Sequence, residues 1–121
     1  MAKKRVLIAD DDQLVHKLYP QQLGDGYEYL HVLNGVDALV LAVDLVPDLL
    51  ILDIAMPILD GRTVCKTIKE YPKTKGIKVL MVSGKDEQFD RALGFEVGAD
   101  DYLGKSQVRG LLKSSVEKLL R

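Results

Sequence analysis

The chain has 121 residues, 47% hydrophobic and 29% charged, the composition of one compact globular domain with a real core rather than a disordered segment. A formal net charge of −1 and a pI near 6.1 give no global attraction to nucleic acid or anionic lipid. No apolar stretch approaches the roughly 18 to 20 residues of a membrane span. The opening MAKKRVLIADDD is too short in its apolar part for a signal peptide.

In chain order, Val6-Leu7-Ile8-Ala9 reads as a strand that stops at Asp10-Asp11-Asp12. Asp12 to Leu23 follows with Leu14, Val15, Leu18 and Leu23 at helical spacing, and Pro20 predicts a kink or a short helix. Tyr27 to Leu33 is rich in strand formers, and Asn34-Gly35 turns the chain into a helix over Val36 to Leu45. After Pro47-Asp48, the unbroken run Leu49-Leu50-Ile51-Leu52 has the pattern of a strand buried on both faces. A loop containing Met56-Pro57 and Asp60-Gly61 leads to a third helix ending near Tyr71. Ile77 to Val82 reads as a strand, Asp86 to Val97 as a helix, Asp101 to Leu103 as a short strand, and an amphipathic helix closes the chain. On the fourth helix Phe89, Leu93 and Val97, with Ala92 beside them, form the expected core stripe, whereas Phe95 falls on the polar side with Gln88 and Arg91.

This (βα)₅ alternation predicts an α/β fold in one domain over residues 1–121, a doubly wound, flavodoxin-like parallel sheet of five strands in the order 2-1-3-4-5. Ligands of such sheets bind outside the carboxyl ends of the strands. Asp10, Asp11 and Asp12 end the first strand, Asp53 the third, Ser83-Gly84 the fourth, and Lys105 stands near the end of the fifth. Several carboxylates brought together resist joint ionisation unless a cation compensates, and oxygen donors suit a hard ion such as Mg²⁺. Asp10, Asp11 and Asp53 with one Mg²⁺ and Lys105 sum to about zero formal charge, a pocket able to receive a phosphoryl group. Asp12 reads as a helix cap. Taken singly, the triplet could instead cap the helix, Asp53 could be a turn residue, Ser83 a loop hydroxyl and Lys105 a solvated charge; their joint placement favours a site.

The single Cys65 excludes an intrachain disulfide, fits a reducing cytoplasm, and reads as a core residue. His16 and His31 stand apart with no cysteine or acid at zinc-ligand spacing, so no zinc site is expected. With no glycine-rich loop after the first strand, a dinucleotide site is not expected either.

Together, Asp10-Asp11, LLILDIAMPILDG (49–61), MVSG (81–84) and GADDYLGK (98–105) closely resemble the receiver domain of two-component response regulators across essentially the whole chain. The resemblance implies that Asp53 accepts a phosphoryl group from a histidine kinase or phosphotransfer protein. It implies that Asp10, Asp11 and Asp53, with the backbone carbonyl of Ala55, hold Mg²⁺. It further implies that Ser83 and Lys105 bind the phosphoryl group, and that Ser83 and Tyr102 form the switch. Output would pass to a downstream protein through the fourth helix, fifth strand and fifth helix, with Gln88, Arg91, Phe95 and Tyr102 on the partner face and no direct contact with nucleic acid or membrane. Such a domain is a signalling switch rather than an enzyme. Two alternatives stay open: a phosphorylation-independent interaction module, and a phosphohydrolase with an aspartate nucleophile, for which Asp10-x-Asp12 has the spacing. The sequence departs from the family at Ser106, where proline usually follows the lysine through a cis bond; a trans Lys105–Ser106 bond is expected, since a cis non-proline bond costs about 2.5–4 kcal/mol. Small Ala55 and Gly84 leave the pocket open and predict fairly quick loss of the phosphoryl group to water.

Overall fold

The computed structural model describes residues 2–84 and 87–121, and the side chains of all of these except 87–90. Five parallel strands lie in the order β2-β1-β3-β4-β5: β1 Lys4–Ala9, β2 Tyr27–Val32, β3 Leu49–Asp53, β4 Lys78–Ser83 and β5 Asp101–Gly104. Between and after them run α1 Val15–Leu23, α2 Gly35–Leu45, α3 Gly61–Glu70, α4 Glu87–Glu96 and α5 Val108–Leu119, the last entered through a single 3₁₀ turn, Lys105–Gln107. The expected class and strand order are both found. No described helix is long and apolar enough to cross a membrane.

Side chains alternate across the strands, so the sheet builds two separate cores. Leu7, Ala9, Leu50, Leu52, Val79, Met81 and Tyr102 pack with Ala38 and Ala42 of α2 and Val64, Cys65 and Ile68 of α3. Val6, Ile8, Leu49, Ile51, Leu80, Val82 and Leu103 pack with Val15, Tyr19 and Leu23 of α1 and Leu112 and Val116 of α5. β3 is central and buried along its whole length, which is why its sequence shows no polar alternation.

Local chemistry sets where the helices begin. Asn34 accepts the Asp37 N–H at 2.9 Å, and Asp60 accepts the Thr63 N–H at 3.0 Å, satisfying donors that a helix start leaves without partners. α2 ends where Val46 enters the left-handed region (φ 44°), just before Pro47. α1 begins three residues later than its periodicity suggests, because the chain from Asp12 first makes i→i+3 turns: Val15, His16 and Lys17 donate to the carbonyls of Asp12, Gln13 and Leu14. Asp12 accepts the Leu14 N–H at 3.0 Å, so it caps this lead-in turn rather than the helix itself. Pro20 sits inside α1, which is indeed short, nine residues.

The stripe expected on α4 is corrected in one respect. Ala92 is exposed, and the helix approaches the sheet through Gly94, where a Cβ would lie 2.8 Å from the Met81 sulfur and 3.5 Å from the Tyr102 ring. The roles expected for Phe89 in the core and Gln88 on the partner face fall on side chains outside the described ones. The Lys105–Ser106 bond is trans, as expected, since the described residues contain no cis peptide.

Candidate functional site

Parallel pairing brings the ends of β1, β3, β4 and β5 to one edge. Asp10 follows β1 directly and is buried, with its N–H donating to the Val32 carbonyl at 3.2 Å. Its carboxylate accepts the Asp12 N–H at 2.9 Å, an interaction the tight turn of the aspartate triplet creates. Asp53 ends β3 opposite Val82 and is also buried. Behind it, α3 starts so close that a Cβ on Gly61 would stand 2.2 Å from the Asp53 carbonyl oxygen and 2.8 Å from the Ile54 Cα. Only glycine fits there, and the helix start thereby holds the Asp53 backbone in place. Ser83, buried, ends β4 in register with Gly104 of β5. Lys105 follows β5; its stem runs past Gly84, and its Nζ lies 3.6 Å from the Asp10 carboxylate.

Asp10, Asp11 and Asp53 each offer an oxygen within 4.8 Å of the others, two of the residues buried and Asp11 exposed. Asp12 is outside this group, its carboxylate turned to the Leu14 N–H. Burial first, and then repulsion from Asp10, pushes the Asp53 carboxyl up to about 7, although Lys105 and a backbone bond from Ala55 pull the other way. Burial also raises Asp10, against the Asp12 bond and Lys105. Among the described residues one lysine, Lys105, offsets the cluster, which leaves it short of positive charge. A set of carboxylate oxygens so arranged fits a hard divalent cation such as Mg²⁺, both in donor type and in uncompensated charge.

Two residues beside the pocket escape a reading of the sequence. Tyr19 is buried on α1, and its burial together with the charges of Asp10, Asp53 and Asp12 makes its phenol hold its proton more tightly. His16 Nε2 lies 2.8 Å from the Asp10 carbonyl oxygen, and His16 Nδ1 lies 2.9 Å from His31 Nδ1. The histidines are thus adjacent rather than isolated. The available signal is topological: Tyr27, Tyr29 and His31 share one face of β2, and His31 pairs with Ile8, whose side chain points toward α1.

On the far side of the sheet end, Tyr102 is turned inward and buried, 1% exposed, deeper than an ordinary half-buried strand aromatic. Arg91 donates to the Tyr102 carbonyl at 3.3 Å, and its guanidinium lies 5.9 Å from the Tyr102 ring and 5.2 Å from that of Phe95. Arg91, Phe95 and Tyr102 are therefore neighbours, with Phe95 exposed.

Residues 6–117 match the family model of the response regulator receiver domain. The chain is 36% identical over 119 residues to the alkaline phosphatase synthesis transcriptional regulatory protein PhoP of Bacillus subtilis, a match covering 98% of this chain and 49% of that protein. It superposes with a TM-score of 0.91 on a crystal structure assigned to a response regulator of Chloroflexus aurantiacus, at 35% identity and 98% coverage of both chains. The phosphorylated cyanobacterial phytochrome response regulator RcpA gives a TM-score of 0.86 at 25% identity, covering 98% of this chain and 95% of that one. The fold is that of a signal receiver, and the chain belongs to the response regulator receiver family. It spans about half the length of the first curated relatives it matches.

Proposed function

We propose that this chain is a phosphoacceptor switch of the cytoplasm, with Asp53 as the residue that takes the phosphoryl group. The observation that carries the reading is the buried Asp53 carboxylate at the end of β3, its oxygens within 4.8 Å of those of Asp10 and Asp11. Asp10, Asp11 and Asp53, with the Ala55 carbonyl, would hold Mg²⁺, which when bound offsets negative charge on the phosphoryl oxygens.

The donor is a phosphohistidine of a kinase or phosphotransfer protein. An Asp53 carboxylate oxygen attacks phosphorus, the P–N bond breaks, the imidazole leaves as a neutral ring after taking up a proton, and an acyl phosphate forms on Asp53. Lys105, already drawn toward the acidic pocket by Asp10, pairs with the transferred group, and the Ser83 hydroxyl binds one of its oxygens. The groove lined by Val15, Leu18, Tyr19, Gln22, Lys105, Val108 and Arg109 opens beside the site and would give a donor protein apolar contacts alongside two cations.

Transfer adds roughly 1.5 to 2 negative charges at one point. Ser83 moves toward them, its loop follows, and the inward position of Tyr102 is favoured. Arg91 lies beside both the Tyr102 and the Phe95 rings, so it links that buried position to the face of α4 where Arg91 and the exposed Phe95 would meet a downstream protein. The chain acts on no external substrate in this reading. Incubation with a small phosphodonor and Mg²⁺, followed by intact mass, tests it: wild type gains one phosphoryl group and Asp53→Ala gains none. Equal adducts in both would remove Asp53 from its role, and no adduct in either would favour an interaction module without the chemistry.

A further inference from the structure

The pair His16–His31 lies outside the acidic pocket and has a geometry of its own. His16 is carried by α1 and His31 by the edge strand β2, and their Nδ1 atoms are 2.9 Å apart, with rings in an edge arrangement 67° apart. His16 Nε2 faces the Asp10 carbonyl oxygen at 2.8 Å, and a carbonyl only accepts, so Nε2 carries the proton. In the neutral ring, His16 Nδ1 then presents a lone pair toward His31. A histidine whose second ring nitrogen donates to a backbone carbonyl is the arrangement that metal-ligating histidines commonly adopt.

We propose that His16 and His31 form a binding site for a late first-row divalent cation of the tetragonal class, Cu²⁺ or Ni²⁺, through their Nδ1 atoms. Imidazole nitrogens favour the late first-row ions, with affinity rising through Ni²⁺ to Cu²⁺. With metal–nitrogen bonds of about 2.0–2.1 Å, two cis ligands at a right angle stand about 2.9 Å apart, whereas tetrahedral ligands stand about 3.3 Å apart. In the free pair the 2.9 Å is the length of an N–H···N hydrogen bond, and it lies near the cis spacing, so binding asks for a turn of the His31 ring rather than a shift of α1 against β2. His31 is exposed, so a modest turn of its ring brings both lone pairs onto one ion, with water filling the other positions. In the free pair, His31 donates from Nδ1; on binding, that proton moves to its Nε2, so no net proton need be released. Imidazole nitrogens disfavour Mg²⁺, which keeps this site chemically separate from the carboxylate oxygens of the pocket. The consequence is a link: the ion would fix His16, which holds the Asp10 carbonyl, and so brace the turn that carries Asp10 and Asp11.

The test uses the untagged chain with Mg²⁺ in excess, titrated with Ni²⁺ by calorimetry. One equivalent is expected to bind, with affinity at least tenfold weaker in His16→Ala and in His31→Ala and unchanged in Asp53→Asn. In wild type, paramagnetic Ni²⁺ should broaden the ring signals of His16 and His31 before any others, a readout that does not depend on a variant folding. Equal affinity in the histidine variants, loss in Asp53→Asn alone, absence of binding, or broadening that starts elsewhere would each overturn the proposal.

Discussion

Replacing Asp53 by asparagine should stabilise the metal-free chain, and by more at alkaline than at acidic pH. The folded chain holds the Asp53 proton until about pH 7, whereas the unfolded chain releases it near 3.8, the ordinary value of an aspartate. Between those values the folded state binds more protons, so stability falls as pH rises from about 4 to about 7 and is level above that. Carrying a carboxyl from its ordinary value up to about 7 corresponds to about 4 kcal/mol, of which about 3 kcal/mol accrues between pH 5 and pH 8. Asparagine keeps the shape but carries no charge, so it escapes the burial and the repulsion by Asp10 that raise this group. Urea unfolding in a chelating buffer at pH 5 and pH 8 measures the difference. The advantage of Asp53→Asn should grow by about 3 kcal/mol between the two, less whatever the bond from Ala55 contributes. Mg²⁺ should narrow the gap at pH 8, by about 2.7 kcal/mol at a hundredfold excess over its dissociation constant. An advantage that is flat with pH, or a variant less stable than wild type at pH 8, would refute the picture of Asp53 as a buried, under-compensated carboxylate.

Three further outcomes are expected. Gly61→Ala should cost about 2 kcal/mol or more and slow phosphorylation, because its methyl would overlap the Asp53 carbonyl; unfolding curves and phosphorylation rates check both. Asn34→Ala and Asp60→Ala should each cost about 1 kcal/mol through lost helix caps, additively in the double variant, as urea midpoints would show. Phosphoaspartate in Mg²⁺ should decay within hours rather than days, since Ala55 is exposed and Gly84 carries no side chain to shield the pocket; following the adduct by mass over time measures this.

Much of this molecule is legible in its residues. The unbroken run Leu49 to Leu52 announces a strand buried on both faces, and the strand ends Asp10, Asp53, Ser83 and Lys105 converge because parallel pairing leaves them no other edge. Asn34 and Asp60 mark two helix starts through side-chain chemistry that acts within three residues. What the sequence hides is set by tertiary contact. The α4 helix meets the sheet through Gly94, and a residue without a side chain leaves no mark on a hydrophobic stripe, so the stripe takes in Ala92, which is exposed. The start of α1 is displaced from its periodicity because the residues after Asp12 keep helical spacing while bonding as i→i+3 turns. His16 and His31 look unrelated at a separation of 15 residues, and only the packing of α1 beside β2 brings them together. Tyr19 has no part in the apolar spacing expected of α1, and its place in the field of the acids depends on the same packing.

The central claim is that one carboxylate, Asp53, carries the phosphoryl group. Treating the phosphorylated chain with borohydride reduces an acyl phosphate to the alcohol, so the modified aspartate becomes homoserine and can be located by peptide mass. The account predicts homoserine at position 53 and nowhere else, in Mg²⁺ but not in chelator. Homoserine at position 10, 11 or 12, or none in a chain that has gained a phosphoryl group, would contradict it.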